Sequence, residues 1–464
     1  MKAKLLLLLL LITVLACNDT NDTSSKATWL SGEIVNPKSD FVYITQNNKI
    51  LDTVKLNSNN YFSYQIKDAK KGIYFFNHNE YQAVYVEPGD SILLRVNTME
   101  FDESLSFSGR GGNQNNLLMK FFLLNEDEAP LLAKYNQLPP KEYETKIDSL
   151  KKGWEAIYKN YLDRNNPSDT FKKVAQANIE YIYNMRKELY TSAHLSIYEE
   201  NEYPKGFFDY RKSLNYGSEL LRTFYPYYRF LNYYTDNLAH NKIEGSKRFN
   251  RTSFSHNLEK IKILDSIITN DSLKNDLLKY NVRRYLLNAK NAEEEKQIVE
   301  VFNSLNTNPN HKAKINKLAS ATIKLTPNHT IPDLILVTTD NTLKNLQGII
   351  TKPSVIYFWS MKSNKHYKNV HQKVAELKSK YPEYNYIGIN TDTHFKKWRN
   401  IVNQLGYNPA NEYQFEDIDE AEKKLVLNSV HKTLIVDKNG KILEGNTNLL
   451  DQNIEDLLLG YINK

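Results

Sequence analysis

The chain has 464 residues, too many for one ordinary core, and a length prior points to about three domains. Hydrophobic residues make up 41% and charged residues 25%, a normal balance for a folded chain that excludes wholesale disorder. The net charge of +7 is spread without a basic block interleaved with aromatics, so no nucleic-acid partner is expected.

Residues 1–16 read as a signal peptide. Lys2 and Lys4 supply the charged start, and residues 5–14 form an apolar run shorter than the roughly 20 residues of a membrane-spanning helix. Val14-Leu15-Ala16-Cys17 resembles the bacterial lipobox. That resemblance implies that Cys17 becomes the first mature residue and carries lipid, anchoring the protein in the cell envelope at the periplasmic or surface face of the outer membrane. Residues 17–27 follow as a polar tether. Cys17 is the only cysteine in the sequence, so no intramolecular disulfide can form.

Residues 28–110 read as an antiparallel β domain. Strand-like runs at 41–45, 52–56, 61–66, 72–76, 83–86 and 91–96 are separated by Asn- and Ser-rich turns. Pro88-Gly89-Asp90 suits a tight turn, with Pro at its second position and Gly at its third.

Residues 111–326 read as helical. Ile147, Leu150, Trp154, Ile157, Tyr158 and Tyr161 recur at spacings of three and four, forming one stripe. Asn291 with Glu294 predicts a capping box. An aromatic run near 224–234 contains Pro226, which is expected to kink or end a helix there. The chain holds 32 tyrosines and 19 phenylalanines. Such side chains serve helix packing, with a groove for peptide or glycan as the alternative.

Residues 327–464 alternate strand and helix. Candidate strands lie at 333–337, 354–359, 384–389 and 432–437, and helices at 364–380, 393–405, 418–427 and 452–462. The expected fold is multidomain α+β: an antiparallel β domain, a helical domain and a C-terminal α/β domain.

Several C-terminal motifs resemble thioredoxin-like proteins of the TlpA/ResA type in order and spacing. Ile331-Pro332-Asp333 resembles the entry strand of that family, and Gln347-Gly348 before Lys352-Pro353 its approach to the central strand. Residues 355–360 (VIYFWS) match its Val-x-x-Phe-Trp-Ala strand, and residues 437–442 (DKNGKI) its following hairpin turn. The β domain upstream, ending in 107–117, resembles the N-terminal domain of many Bacteroidetes lipoproteins of this type. The resemblance implies a thioredoxin-like fold for 327–464.

It also places a Trp-Cys-x-x-Cys motif directly after the 354–359 strand. Here Lys362 falls at the Trp position, Ser363 at the attacking cysteine and His366 at the resolving cysteine, while His431 takes the place of the cis-proline. A hydroxyl cannot exchange disulfides, so thiol redox chemistry is excluded for this chain acting alone. Catalytic residues, a cofactor and a metal are therefore not expected, since two histidines are too few ligands. Ser363 and His366 read as a helix N-cap and a first-turn surface residue, because a Ser–His nucleophile would need a third group and an oxyanion hole. Lys362, Lys365, Lys368 and Lys373 add a basic face.

Trp359, Lys362, Ser363, His366 and His431 would line a groove for a protein or peptide partner. The expectation is a non-catalytic, membrane-anchored binding or scaffolding protein. Two alternatives stand: an oxidoreductase-family member working with a cysteine-bearing partner, and an accessory lipoprotein of a nutrient-uptake system.

Overall fold

The computed structural model describes residues 27–243 and 249–462. The segment expected to be a signal peptide, Cys17 and the expected tether up to residue 26 lie outside the described residues. The chain divides into two compact units. One runs through Tyr190 and includes Tyr198–Leu214 and Ser218–Leu231; the other holds Thr191–Ile197, Asn215–Gly217 and everything from Asn232.

The first unit opens with β1 (Thr28–Val35), β2 (Phe41–Gln46), β3 (Lys49–Lys55), β4 (Tyr61–Ile66), β5 (Gly72–His78), β6 (Glu80–Val86), β7 (Ser91–Asn97) and β8 (Ser106–Arg110). They form two four-stranded sheets, ordered β4-β1-β7-β8 and β3-β2-β5-β6. Strand alternation sets the faces: Ile92, Leu94 and Val96 of β7 are buried, while Ser91, Leu93 and Arg95 point outward. Leu30, Ile44, Phe62 and Phe76 join them in one core drawn from both sheets. One pairing departs from the antiparallel expectation, because β1 and β7 run parallel. Parallel neighbours need a long crossover, and the five intervening strands supply it. Gly89 adopts φ 82 in the predicted turn, which the Asp90 backbone N–H closes onto the Glu87 carbonyl at 3.0 Å.

Helices follow: α1 (Phe101–Ser104), α2 (Gly112–Asp127), α3 (Ala129–Tyr135), α4 (Pro140–Arg164), α5 (Asp169–His194) and α6 (Tyr225–Lys242). The predicted stripe lies on α4, with Ile147 and Trp154 fully buried. Trp154 stacks on Phe121 at 5.1 Å and donates its indole N–H to Glu128 at 2.9 Å. Pro226 neither kinks nor ends a helix. It sits in the first turn of α6, where its missing N–H would have had no helical acceptor. Tyr227, Phe230 and Leu231 of the aromatic run are fully buried, and Tyr181 packs against the first two. They are core residues.

The second unit contains α7 (Phe254–Ile267), α8 (Asp271–Leu286), α9 (Ala292–Leu305) and α10 (Pro309–Thr322). Asn291 caps α9 by accepting from the backbone N–H groups of Glu293 and Glu294. The reciprocal half of the predicted capping box does not form, because the Glu294 carboxylate accepts from the Tyr285 hydroxyl at 3.2 Å.

The α/β domain comprises β9 (Ile335–Thr338), β10 (Leu343–Asn345), β11 (Ser354–Trp359), β12 (Asn385–Asn390), β13 (Glu412–Phe415), β14 (Lys432–Val436) and β15 (Ile442–Asn448). Its helices are α11 (Asn364–Lys380), α12 (Phe395–Gln404), α13 (Ile418–Leu425) and α14 (Ile454–Ile462). The sheet order is β10-β9-β13-β12-β11-β14-β15, with β11, β12 and β13 parallel. Every residue of β11 is buried, as expected for a nearly continuous apolar strand covered on both faces. Ile356 and Phe358 enter one core with Ala421 and Leu425 of α13. Val355, Tyr357 and Trp359 enter the other, with Val370, Trp398 and Leu458. Strands β10, β13 and β15 have no counterpart among the predicted strands.

Candidate functional site

The central strand β11 ends at Trp359 and delivers the chain into a short loop before α11. Asp392, just beyond the neighbouring strand β12, pins that loop. Its carboxylate accepts from the Ser360 hydroxyl at 2.8 Å and from the Met361 backbone N–H at 2.6 Å. Lys362 is exposed and Ser363 half-buried at the N-cap position of α11. The Ser363 side chain makes no capping hydrogen bond, so only its position, not its expected capping role, is realised.

His366 is the main departure from the sequence expectation. It is buried at 5% exposure rather than lying on the surface. Its ring packs edge-on against His431, centroid to centroid 4.3 Å, with the planes 80° apart. Its Nδ1 is buried with no hydrogen-bond partner. Burial first, and then the neighbouring His431 and His371, push its pKa down to about 4. At neutral pH it is therefore an uncharged imidazole. His431 is exposed at the start of β14. No hydrogen bond joins Ser363 to His366 among the described residues, so a Ser–His nucleophile is not assembled. Nor do three or more His, Cys, Asp and Glu side chains gather as a metal-ligand set among them.

Trp359 does not border the loop's surface. It is fully buried, because its indole N–H donates to Glu412 Oε2 at 2.9 Å inside the domain. Glu412 lies on β13 and is itself buried. Its Oε1 accepts from the Tyr357 hydroxyl at 2.8 Å and faces His371 Nε2 at 3.2 Å. His371 Nδ1 lies 2.7 Å from the Tyr367 carbonyl, which can only accept, so that nitrogen carries hydrogen. Glu412 already receives two donors, the Tyr357 hydroxyl and the Trp359 indole N–H. Tyr407 stacks on the His371 ring at 3.7 Å and 1°, beside a cavity of about 420 Å³ that Lys368 and Lys378 also line. Burial and the adjacent carboxylate raise the Tyr357 pKa, keeping the phenol a donor.

Parallel register explains why a glycine stands beneath this carboxylate. Gly388 pairs with Tyr357 on one side and Glu412 on the other. A Cβ there would come within 2.6 Å of both Glu412 oxygens and of the Tyr357 hydroxyl. The sequence holds one hint of this arrangement, a glycine inside the apolar 384–389 run. Nothing local pairs it with Glu412 or His371.

Residues 351–442 match a family model described as thioredoxin-like. Similar solved structures include a thioredoxin-like protein from Bacteroides caccae, 13% identical with a TM-score of 0.37, covering 60% of this chain and 94% of that one. The thioredoxin domain of a thiol-disulfide oxidoreductase from Bacteroides vulgatus is 15% identical, with a TM-score of 0.25 over 30% of this chain and 96% of that one. A thiol:disulfide interchange protein from Bacteroides sp. is 15% identical, with a TM-score of 0.25 over 30% and 90%. No curated protein matches the sequence significantly. The C-terminal domain of this chain is thioredoxin-like, and the segment that follows its central strand carries Ser363 and His366 and no cysteine.

Proposed function

We propose that the chain is a cell-envelope lipoprotein, held at the outer membrane by lipid on Cys17, whose thioredoxin-like domain binds a protein or peptide without thiol redox chemistry. One observation carries this reading: Ser363 at the N-cap and His366 in the first turn of α11 follow the loop after β11, and the sole thiol of the sequence is Cys17. Thiol–disulfide exchange needs an attacking thiolate and a resolving sulfur, and neither side chain supplies one. The surroundings favour binding. His431 and Lys362 are exposed, and Ser363 is half-buried with its hydroxyl unused for capping. An extended peptide bound beside such a loop would be held through backbone hydrogen bonds. Trp359 would support this surface from below without touching the ligand.

Reduction of insulin by purified Cys17→Ser protein tests the redox half, and turnover should not rise above buffer. A measurable rate would restore the oxidoreductase reading. Replacing Ser363, His366 and His431 together should weaken partner cross-linking in intact cells; unchanged cross-links would remove the loop as the binding surface. Cys17→Ser should also move the protein from the membrane fraction to the soluble one.

A further inference from the structure

A second surface of the same unit has a character of its own. Helices α10 and α13 flank a groove of about 650 Å³. Its floor is apolar, built from Leu318, Ala321, Pro332 and Val426. Its walls are basic. Lys314, Lys317 and Lys324 stand on one side, Lys423 and Lys424 on the other, with only Glu422 and Asp333 among them as carboxylates. Lys424 is committed to Glu420 at 2.8 Å. Lys314, Lys317, Lys324 and Lys423 make no ion pair among the described residues, although exposed lysines beside helical Glu often do.

The floor carries a backbone cost. Val426 ends α13 with φ 50, in the left-handed region that β-branched residues rarely enter. Glycine is the usual residue at such a position. The buried ammonium of Lys432 helps hold this turn, donating to the Leu425 carbonyl at 2.8 Å. The Val426 side chain, only 8% exposed, packs into the hydrophobic core beneath the groove, and that burial holds the residue in its strained conformation.

We propose that this groove binds an extended acidic peptide segment of a partner protein, with aliphatic side chains facing the floor and carboxylates facing the lysines. Charge complementarity selects that occupant. Cations on both walls call for negative charge on both sides of the ligand and along its length, whereas a fatty acid concentrates its charge at one end. Lys314 to Lys324 spans about 15 Å at helical rise. That is the reach of roughly four to five extended residues, whose side chains alternate between floor and walls. This surface is distinct from the loop after β11 and does not depend on the reading given for it.

The test is fluorescence anisotropy of the Cys17→Ser protein with two labelled probes, acetyl-Glu-Leu-Glu-Leu-Glu-amide and acetyl-Lys-Leu-Lys-Leu-Lys-amide. The acidic probe should bind and the basic one should not. Lys317→Glu with Lys423→Glu should weaken acidic-probe binding about tenfold or more, since rim charges govern such encounters. Both residues are exposed, so the melting temperature checks that the variant stays folded. Raising salt from about 0.1 to about 1 M, which shortens the Debye length from about 10 to 3 Å, should weaken binding further. Equal affinity for the two probes, no binding of the acidic one, or affinity unchanged in the double variant would overturn the proposal. Binding only to phosphatidylglycerol vesicles would also overturn it, in favour of a membrane contact.

Discussion

His366 and His371 stand on the same helix, little more than one turn apart, in opposite circumstances. His366 has a buried Nδ1 with no partner, packs against a second imidazole and stays neutral. Both His371 nitrogens are engaged, one with a backbone carbonyl and the other with Glu412, and its ring lies flat on Tyr407. The difference separates two jobs that residue type alone would merge. The outer histidine, in the helix's first turn beside the loop, has unspent polar capacity; the inner one belongs to the frame that holds the loop's strand in place.

The largest effect should come from emptying the inner network. Glu412→Ala strands the Tyr357 hydroxyl, the Trp359 indole N–H and His371 without their acceptor, and should cost about 3–5 kcal/mol in urea denaturation. A loss below 1 kcal/mol would mean that water replaces the carboxylate and that the network is not structural. Gly388→Ala comes next. The added methyl must displace the carboxylate or spread the strands, at about 1–3 kcal/mol, read as a lower denaturation midpoint at constant slope.

The outer histidine gives a pH signature. Its folded pKa of about 4 lies below the unfolded value of about 6.5, so the unfolded chain takes up the proton first as pH falls. The stability this group contributes is fully present above about pH 6.5 and is lost on going down toward 4. With partial solvent screening the loss is about 1–2 kcal/mol. His366→Phe should flatten the melting-temperature profile between those limits relative to the parent protein; an unchanged profile would show that His366 titrates normally. Ser363→Ala should have the smallest effect, within about 0.5 kcal/mol, because its hydroxyl makes no cap bond. Asn291→Ala, which removes a working cap, should cost about 1 kcal/mol by the same measurement.

Much of the fold was legible where the pattern was long and periodic. Strand 354–359 and helix 364–380 agree with the structure to the residue, since an apolar run and a 3.6-residue period are local signals. β13 was not legible. Its four residues alternate Glu412 and Gln414 with Tyr413 and Phe415, and both polar side chains point inward. A buried polar strand of that length carries no hydrophobic signature. Pro226 was misjudged for a related reason: a proline inside an aromatic run breaks a helix or begins one, depending on where the first turn falls.

By itself the sequence determined which groups are present just after the central strand: the Ser363 hydroxyl and the His366 imidazole, three positions apart at a helix start, and no thiol. Composition and spacing are local, and no folding can add a thiol. Tertiary structure alone decided what surrounds those atoms. Sheet register brought Glu412 to His371 across 41 residues and drew Trp359 inward to meet it. The return of β14 laid His431 on His366, burying a side chain that helical position alone would have left in water.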